Sequence, residues 1–139
     1  MKKLAIITMM ILIVVLTGCS SNFQPELTRV DVQKLTKDGM KDGEERIIAS
    51  KNELQTIEQS FDKIKWSPKT KPEMARKEDV LAIFFIQEEK NMPESLDEYR
   101  IWFEGESATI ISNKENEGYG RLTDKTEVRD LRSALLLGE

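Results

Sequence analysis

Apolar positions along this chain alternate, then recur at helical steps, then alternate again over four short runs before a final helical stretch. In Leu27 to Leu35, Val30 and Val32 share one parity while Arg29, Asp31 and Gln33 share the other, which predicts a half-buried strand. Asp38-Gly39 and Asp42-Gly43 follow as turn dipeptides, and Glu45 to Ala49 reads as the strand that returns from them. Acidic residues around a glycine invite a calcium-loop reading. Counting from Asp38, however, puts Met40 at position three and Ala49 at position twelve, where oxygen ligands are required. A hairpin turn is the better account.

Ser50-Lys51-Asn52-Glu53 has the spacing of a capping box, and Leu54, Ile57, Phe61 and Ile64 behind it form one stripe on a helix of about residues 51–65. Trp66 to Lys77 holds Pro68, Pro72 and several lysines. It reads as a solvated linker, because Glu73, Glu78 and the prolines interrupt the basic face that anionic headgroups or teichoic acid would need. Val80 to Ile86 is apolar on both parities, as in a central strand covered on both sides or awaiting a partner on one. In Leu96 to Phe103, Tyr99, Ile101 and Phe103 point one way and Glu98, Arg100 and Trp102 the other. Ser107 to Ile111 and Tyr119 to Leu122 are short strands around a polar loop. Thr123 or Asp124 opens the last helix, Val128, Leu131, Ala134 and Leu135 line its inner face, and Gly138 ends it. The expected fold is α+β. An antiparallel sheet of five to six short strands packs against two amphipathic helices, in the order β-β-α-β-β-β-β-α.

The first nineteen residues carry a different signal. Lys2 and Lys3 precede an apolar run from Leu4 to Leu16, broken only by Thr8, and Leu16-Thr17-Gly18-Cys19 closes it. A charged start, an apolar centre and a small-residue end describe an export signal. The run is short of the roughly 20 residues a membrane-spanning helix needs. Leu-Thr-Gly-Cys resembles a bacterial lipobox, in which the cysteine is lipidated and becomes the first mature residue. Residues 1–18 are then a lipoprotein signal peptide, 19–26 a lipidated terminus and tether, and 27–139 one domain. The expected location is the extracytoplasmic face of the cell membrane, held by acyl chains at Cys19.

Composition narrows the chemistry. The chain has 21 basic and 25 acidic residues, and losing Lys2 and Lys3 leaves 19 against 25, a mature charge of −6. That argues against nucleic acid as a partner. There is no histidine, which removes Ser-His-Asp and Cys-His catalysis and histidine metal sites. The single cysteine is Cys19, so a disulfide or thiolate site has no residues to form it. No cofactor, metal ligand set or catalytic residue is expected.

The surface expected to meet a partner centres on Trp102 and Arg100, with Tyr119 nearby, since Trp and Arg are enriched at binding hot spots. The competing reading of Trp102 is packing under a loop or tether, and that of Tyr119 is core or rim packing. The function expected is a non-catalytic binding or accessory module of the cell envelope. Its partners are the membrane through the lipid, and an envelope protein, a peptide or a wall glycan. One alternative is a small carboxylate-based wall-glycan hydrolase drawing on Glu88, Glu89, Glu94 and Glu104. Another is a precursor whose signal segment is trimmed to a signalling peptide.

Four segments carry a family likeness: Ile47-Ile48-Ala49-Ser50-Lys51, Glu73-Met74-Ala75-Arg76, Glu98-Tyr99-Arg100-Ile101-Trp102-Phe103 and Gly118-Tyr119-Gly120-Arg121-Leu122. In this order, over about residues 45–137, the chain resembles the YhfM-like small lipoproteins of Gram-positive bacteria. The resemblance implies an exported, membrane-tethered domain. It brings no established activity or catalytic residues.

Overall fold

A computed structural model describes residues 23–137. Cys19 and the signal segment lie outside the described residues, as does Gly138. The strands are β1 (Glu26–Lys34), β2 (Arg46–Ile48), β3 (Lys65–Ser67), β4 (Val80–Gln87), β5 (Ser95–Glu104), β6 (Ser107–Ser112) and β7 (Tyr119–Leu122). Helix α1 (Lys51–Asp62) lies between β2 and β3, and α2 (Lys125–Arg132) closes the chain, continued by a π-helical turn over Ser133–Leu137. One antiparallel sheet runs in the order β2-β1-β4-β5-β6-β7-β3. The fold is α+β, as the hydrophobic pattern implies.

The sheet has seven strands rather than five to six. The seventh is β3, at the point where the expected helix of 51–65 gives way to the linker from Trp66; the helix stops at Asp62 instead. Lys65, Trp66 and Ser67 pair with Arg121, Gly120 and Tyr119. Three residues are too few to display a period, so tertiary pairing decided this strand where sequence alternation could not.

Both helices start where the caps predict. Ser50 Oγ accepts from the Glu53 amide at 3.4 Å and donates to the Glu53 carboxylate at 2.6 Å. Glu53 then pairs with Arg46 rather than reaching back to the Ser50 backbone. Asp124 accepts from the amides of Thr126 at 2.9 Å and Glu127 at 3.1 Å, which satisfies two of the free donors of the first turn.

The register assigns each strand residue to a face. Val30 and Val32 stand opposite Phe84 and Ala82, and those continue to Tyr99, Ile101 and Ile110. Together with Ile48, Leu122, and Leu54, Ile57, Val128 and Leu131 of the helices, they form the core. Each of the larger side chains among them, from valine upward, contributes ~1.5–3 kcal/mol on burial. The opposite, outer face carries Asp31, Leu81, Ile83, Phe85, Glu98, Arg100, Trp102 and Ile111. Near β1, Arg29 stacks 4.0 Å above the Phe85 ring and pairs with Asp31 at 2.6 Å. Part of the apolar outer side of β4 is thereby covered by an arginine.

Candidate binding groove

β3 occupies one edge of the sheet, whereas β4 lies four strands further in. The chain from Pro68 to Asp79 must therefore cross β7, β6 and β5, and it does so over the outer face. The expected linker is largely exposed, as a solvated connection is, but it is laid across the sheet as a strap. Its last turn is clamped. Arg76 donates to both carboxylate oxygens of Asp79 at 2.7 and 2.9 Å and to the Phe103 carbonyl at 3.3 Å. Asp79 Oδ2 also accepts from the Phe103 amide at 2.7 Å, and its backbone N–H donates to Ile101 at 2.9 Å.

Asp79 feels two opposed effects. Burial would raise its carboxyl pKa, but the Arg76 hydrogen bonds, the Phe103 amide and the positive charges of Arg76 and Arg132 together bring it below the ordinary value. A carboxyl depressed on folding adds stability that is fully present above its unfolded pKa of ~3.9, and that stability is lost as pH falls through the lower folded value. Urea midpoints measured from pH 7 down to pH 2 should fall less steeply below pH ~4 in Asp79→Asn than in the parent. Parallel curves would remove Asp79 from the acid sensitivity.

The other end of the strap begins with a tight turn. The Thr70 amide donates to the Ser67 carbonyl at 3.3 Å, and Lys69 takes a left-handed φ of 63°. Gly118 makes room for this turn: at φ 66°, a Cβ there would lie 3.1 Å from the Ser67 oxygen and 3.2 Å from the Lys69 nitrogen.

Trp102 shows why the strap matters. It is 2% exposed, and its Nε1–H donates to the Arg76 carbonyl at 3.0 Å. Of the two readings of this indole, packing under a loop holds and the partner surface does not: Trp102 is the residue that pins the strap down. The alternation of β5 places Trp102 on the outer face as expected, but a segment twenty-six residues earlier covers it. Arg100 and Tyr119 do share one row, on either side of Ile111. Arg100 remains exposed and Tyr119 is half-buried. The structure brings these two together and removes Trp102 from reach.

Between the strap and the row lies a groove of ≈ 660 Å³, with Lys69, Lys71 and Pro72 on one wall, Ile111 and Arg100 on the floor side and Asn113 at one end. Arg100 makes no hydrogen bond among the described residues. Its Nε is 3.9 Å from Glu98 and 4.0 Å from Glu78, beyond hydrogen-bond reach. Asn113 Oδ1 already accepts from the Glu98 amide at 3.0 Å, which leaves its NH₂ as a donor. The groove is therefore rich in unspent donors over an apolar floor. Sequence reasoning missed its strap wall, because the same lysines and prolines also describe a loop in water.

Of the carboxylates named for a hydrolase, Glu94 and Glu104 stand at opposite ends of β5. Glu94 precedes β5 and Glu104 ends it. Ten residues at ~3.3 Å each separate them by about 30 Å, against the ~9.5 Å upper limit for an opposed pair. Glu88 and Glu89 are exposed in the β4–β5 connection. Among the described residues no group of His, Cys, Asp or Glu is arranged to hold a metal ion, and no helix is long and apolar enough to cross a membrane. No family model, curated protein or solved structure matches the chain.

Proposed function

We propose that this protein is a lipoprotein held at Cys19 on the extracytoplasmic face of the cell membrane, where its α+β domain acts as a non-catalytic binding module. The location rests on the charged start, the apolar run and Leu16-Thr17-Gly18-Cys19. The binding role rests on one observation: Arg100, an exposed guanidinium with no hydrogen-bond partner among the described residues, faces a groove walled by the strap. Arginine presents five donors in a fixed fork, so leaving them unused in a concave site favours a ligand that brings acceptors. The partner is an envelope protein, a peptide or a wall glycan. From Cys19 to Glu26 the tether spans at most roughly 25 Å, which confines the domain to the neighbourhood of the bilayer.

Two measurements test the two halves. Cys19→Ala is expected to abolish metabolic labelling with a fatty acid, and unchanged labelling would refute the anchor. Cross-linking on whole cells should lose its partners in Arg100→Ala, a substitution at an exposed position that leaves the core intact. Identical partners in parent and variant would discard the groove as the binding surface.

A further inference from the structure

A second cavity lies on the helix side of the sheet, sharing only Lys114 with the groove, and its chemistry is distinct. It is a cleft of ≈ 500 Å³ between the end of α1 and the sheet, near Pro25 where the tether enters. Its walls are aromatic. Phe61 packs at 4.7 Å on Phe84 and edge-on at 4.9 Å on Tyr99, and Trp66 lies 6.2 Å from Tyr99. Phe61 and Trp66 are only half-buried, so both rings remain accessible from the cleft. At the inner end Lys114 bridges Asp97 at 3.0 Å and Glu117 at 3.5 Å beside Tyr99. Burial and these two carboxylates push the Tyr99 hydroxyl pKa up, which keeps it neutral.

The rim is acidic in a way that works against the helix. Glu58 and Asp62 are four residues apart near the C-terminal end of α1, whose last turn has no basic residue. Like charges at this spacing repel, and the helix dipole disfavours negative charge at that end. Neither residue has an ion-pair partner among the described residues, and both are exposed along the cleft. Local choices that oppose the fold concentrate at functional sites. Accessible aromatic faces attract a cation, and two unpaired carboxylates set against a helix end lack one.

We infer that this cleft binds an alkylammonium group on an apolar stem, the side chain of a lysine-type residue in a partner peptide. The ammonium takes the place between Glu58, Asp62 and the rings of Phe61 and Trp66, while its methylenes lie toward Leu27 and Ile86. Lys114 shows the same pairing already made within the chain, an ammonium beside Tyr99 held by two carboxylates. The net negative charge of the protein, −4 over the whole chain, favours the approach of such a ligand. Lys114 borders both this cleft and the groove under the strap, but Glu58, Phe61, Asp62 and Trp66 line the cleft and not the groove, so their variants test it separately from Arg100.

The test titrates the full domain with N-acetyl-lysine methylamide and follows the Trp66 indole N–H by NMR. N-acetyl-norleucine methylamide, which lacks the charge, is the control. The lysine probe should shift Trp66 and leave Trp102 unmoved, with affinity falling as salt rises and the norleucine probe at least about tenfold weaker. Glu58→Gln and Asp62→Asn should each weaken binding several-fold while raising the melting temperature, because each removes a repulsion within α1. Equal shifts from both probes, or binding that survives the double variant, would overturn the proposal. A melting temperature that rises without any loss of binding would do the same.

Discussion

Trp102→Ala lowers the unfolding free energy by about 3–5 kcal/mol and frees the strap, by expectation from the cavity and transfer costs of deleting a buried indole. The side chain is 2% exposed and fills the space between β5 and the strap. Its loss also leaves the Arg76 carbonyl without the donor now at 3.0 Å. Against a typical total of 5–15 kcal/mol this is a large share. Urea denaturation measures the loss. Limited trypsin digestion reports the strap separately, since Lys69, Arg76 and Lys77 should become cleavable well before the sheet does. Trp102→Phe retains most of the apolar contact and should cost closer to ~1 kcal/mol, the net worth of one hydrogen bond. A strap equally resistant to trypsin in the alanine variant would mean that the Arg76–Asp79 clamp alone holds it.

Gly120→Ala should be nearly as damaging for the opposite reason, excess volume. Gly120 lies opposite Trp66 in the β3–β7 pair. A Cβ at that position would fall 2.5 Å from Ile64 Cγ2 and 2.7 and 2.8 Å from two carbons of the Trp66 ring. Either β3 separates from β7 or the ring moves, at a cost of about 1–3 kcal/mol. The thermal midpoint should drop accordingly. Combining Gly120→Ala with Trp66→Leu should restore part of the loss, because the two substitutions share one volume and cannot act additively. Strictly additive effects would place the strain elsewhere.

Much of the architecture was legible from residues 26–35, 45–65 and 80–137. Alternation in β1 and β5, the stripe of α1 and the caps at Ser50 and Asp124 are local signals, and each element formed at or near its expected bounds. The last helix was the partial exception. Ala134 and Leu135 are buried as expected, but they belong to a π-helical turn after α2 stops at Arg132. Of the candidate surface, parity put Arg100 on the outer face, and the β5–β6–β7 register brings Tyr119 onto its row. For Trp102 parity gave the outer face but left partner surface and packing under a loop both open, because exposure is a property of what crosses a residue rather than of the strand that carries it.

The chain's own order of apolar and polar residues determined which segments become most of the strands and both helices, which strand faces are apolar, and that a cysteine closes the apolar N-terminal run. Those depend on interactions within a turn or between nearest neighbours. Tertiary structure alone decided that Lys65–Ser67 joins the far edge of the sheet and that the chain must return across the outer face to β4. That return buries Trp102, creates the groove beside Arg100 and, on the other side, leaves Phe61 and Trp66 at the mouth of a cleft. The reason is connectivity. A chain that places consecutive strands at opposite sides of one sheet has to cover the strands between, and no local pattern records which ones those are.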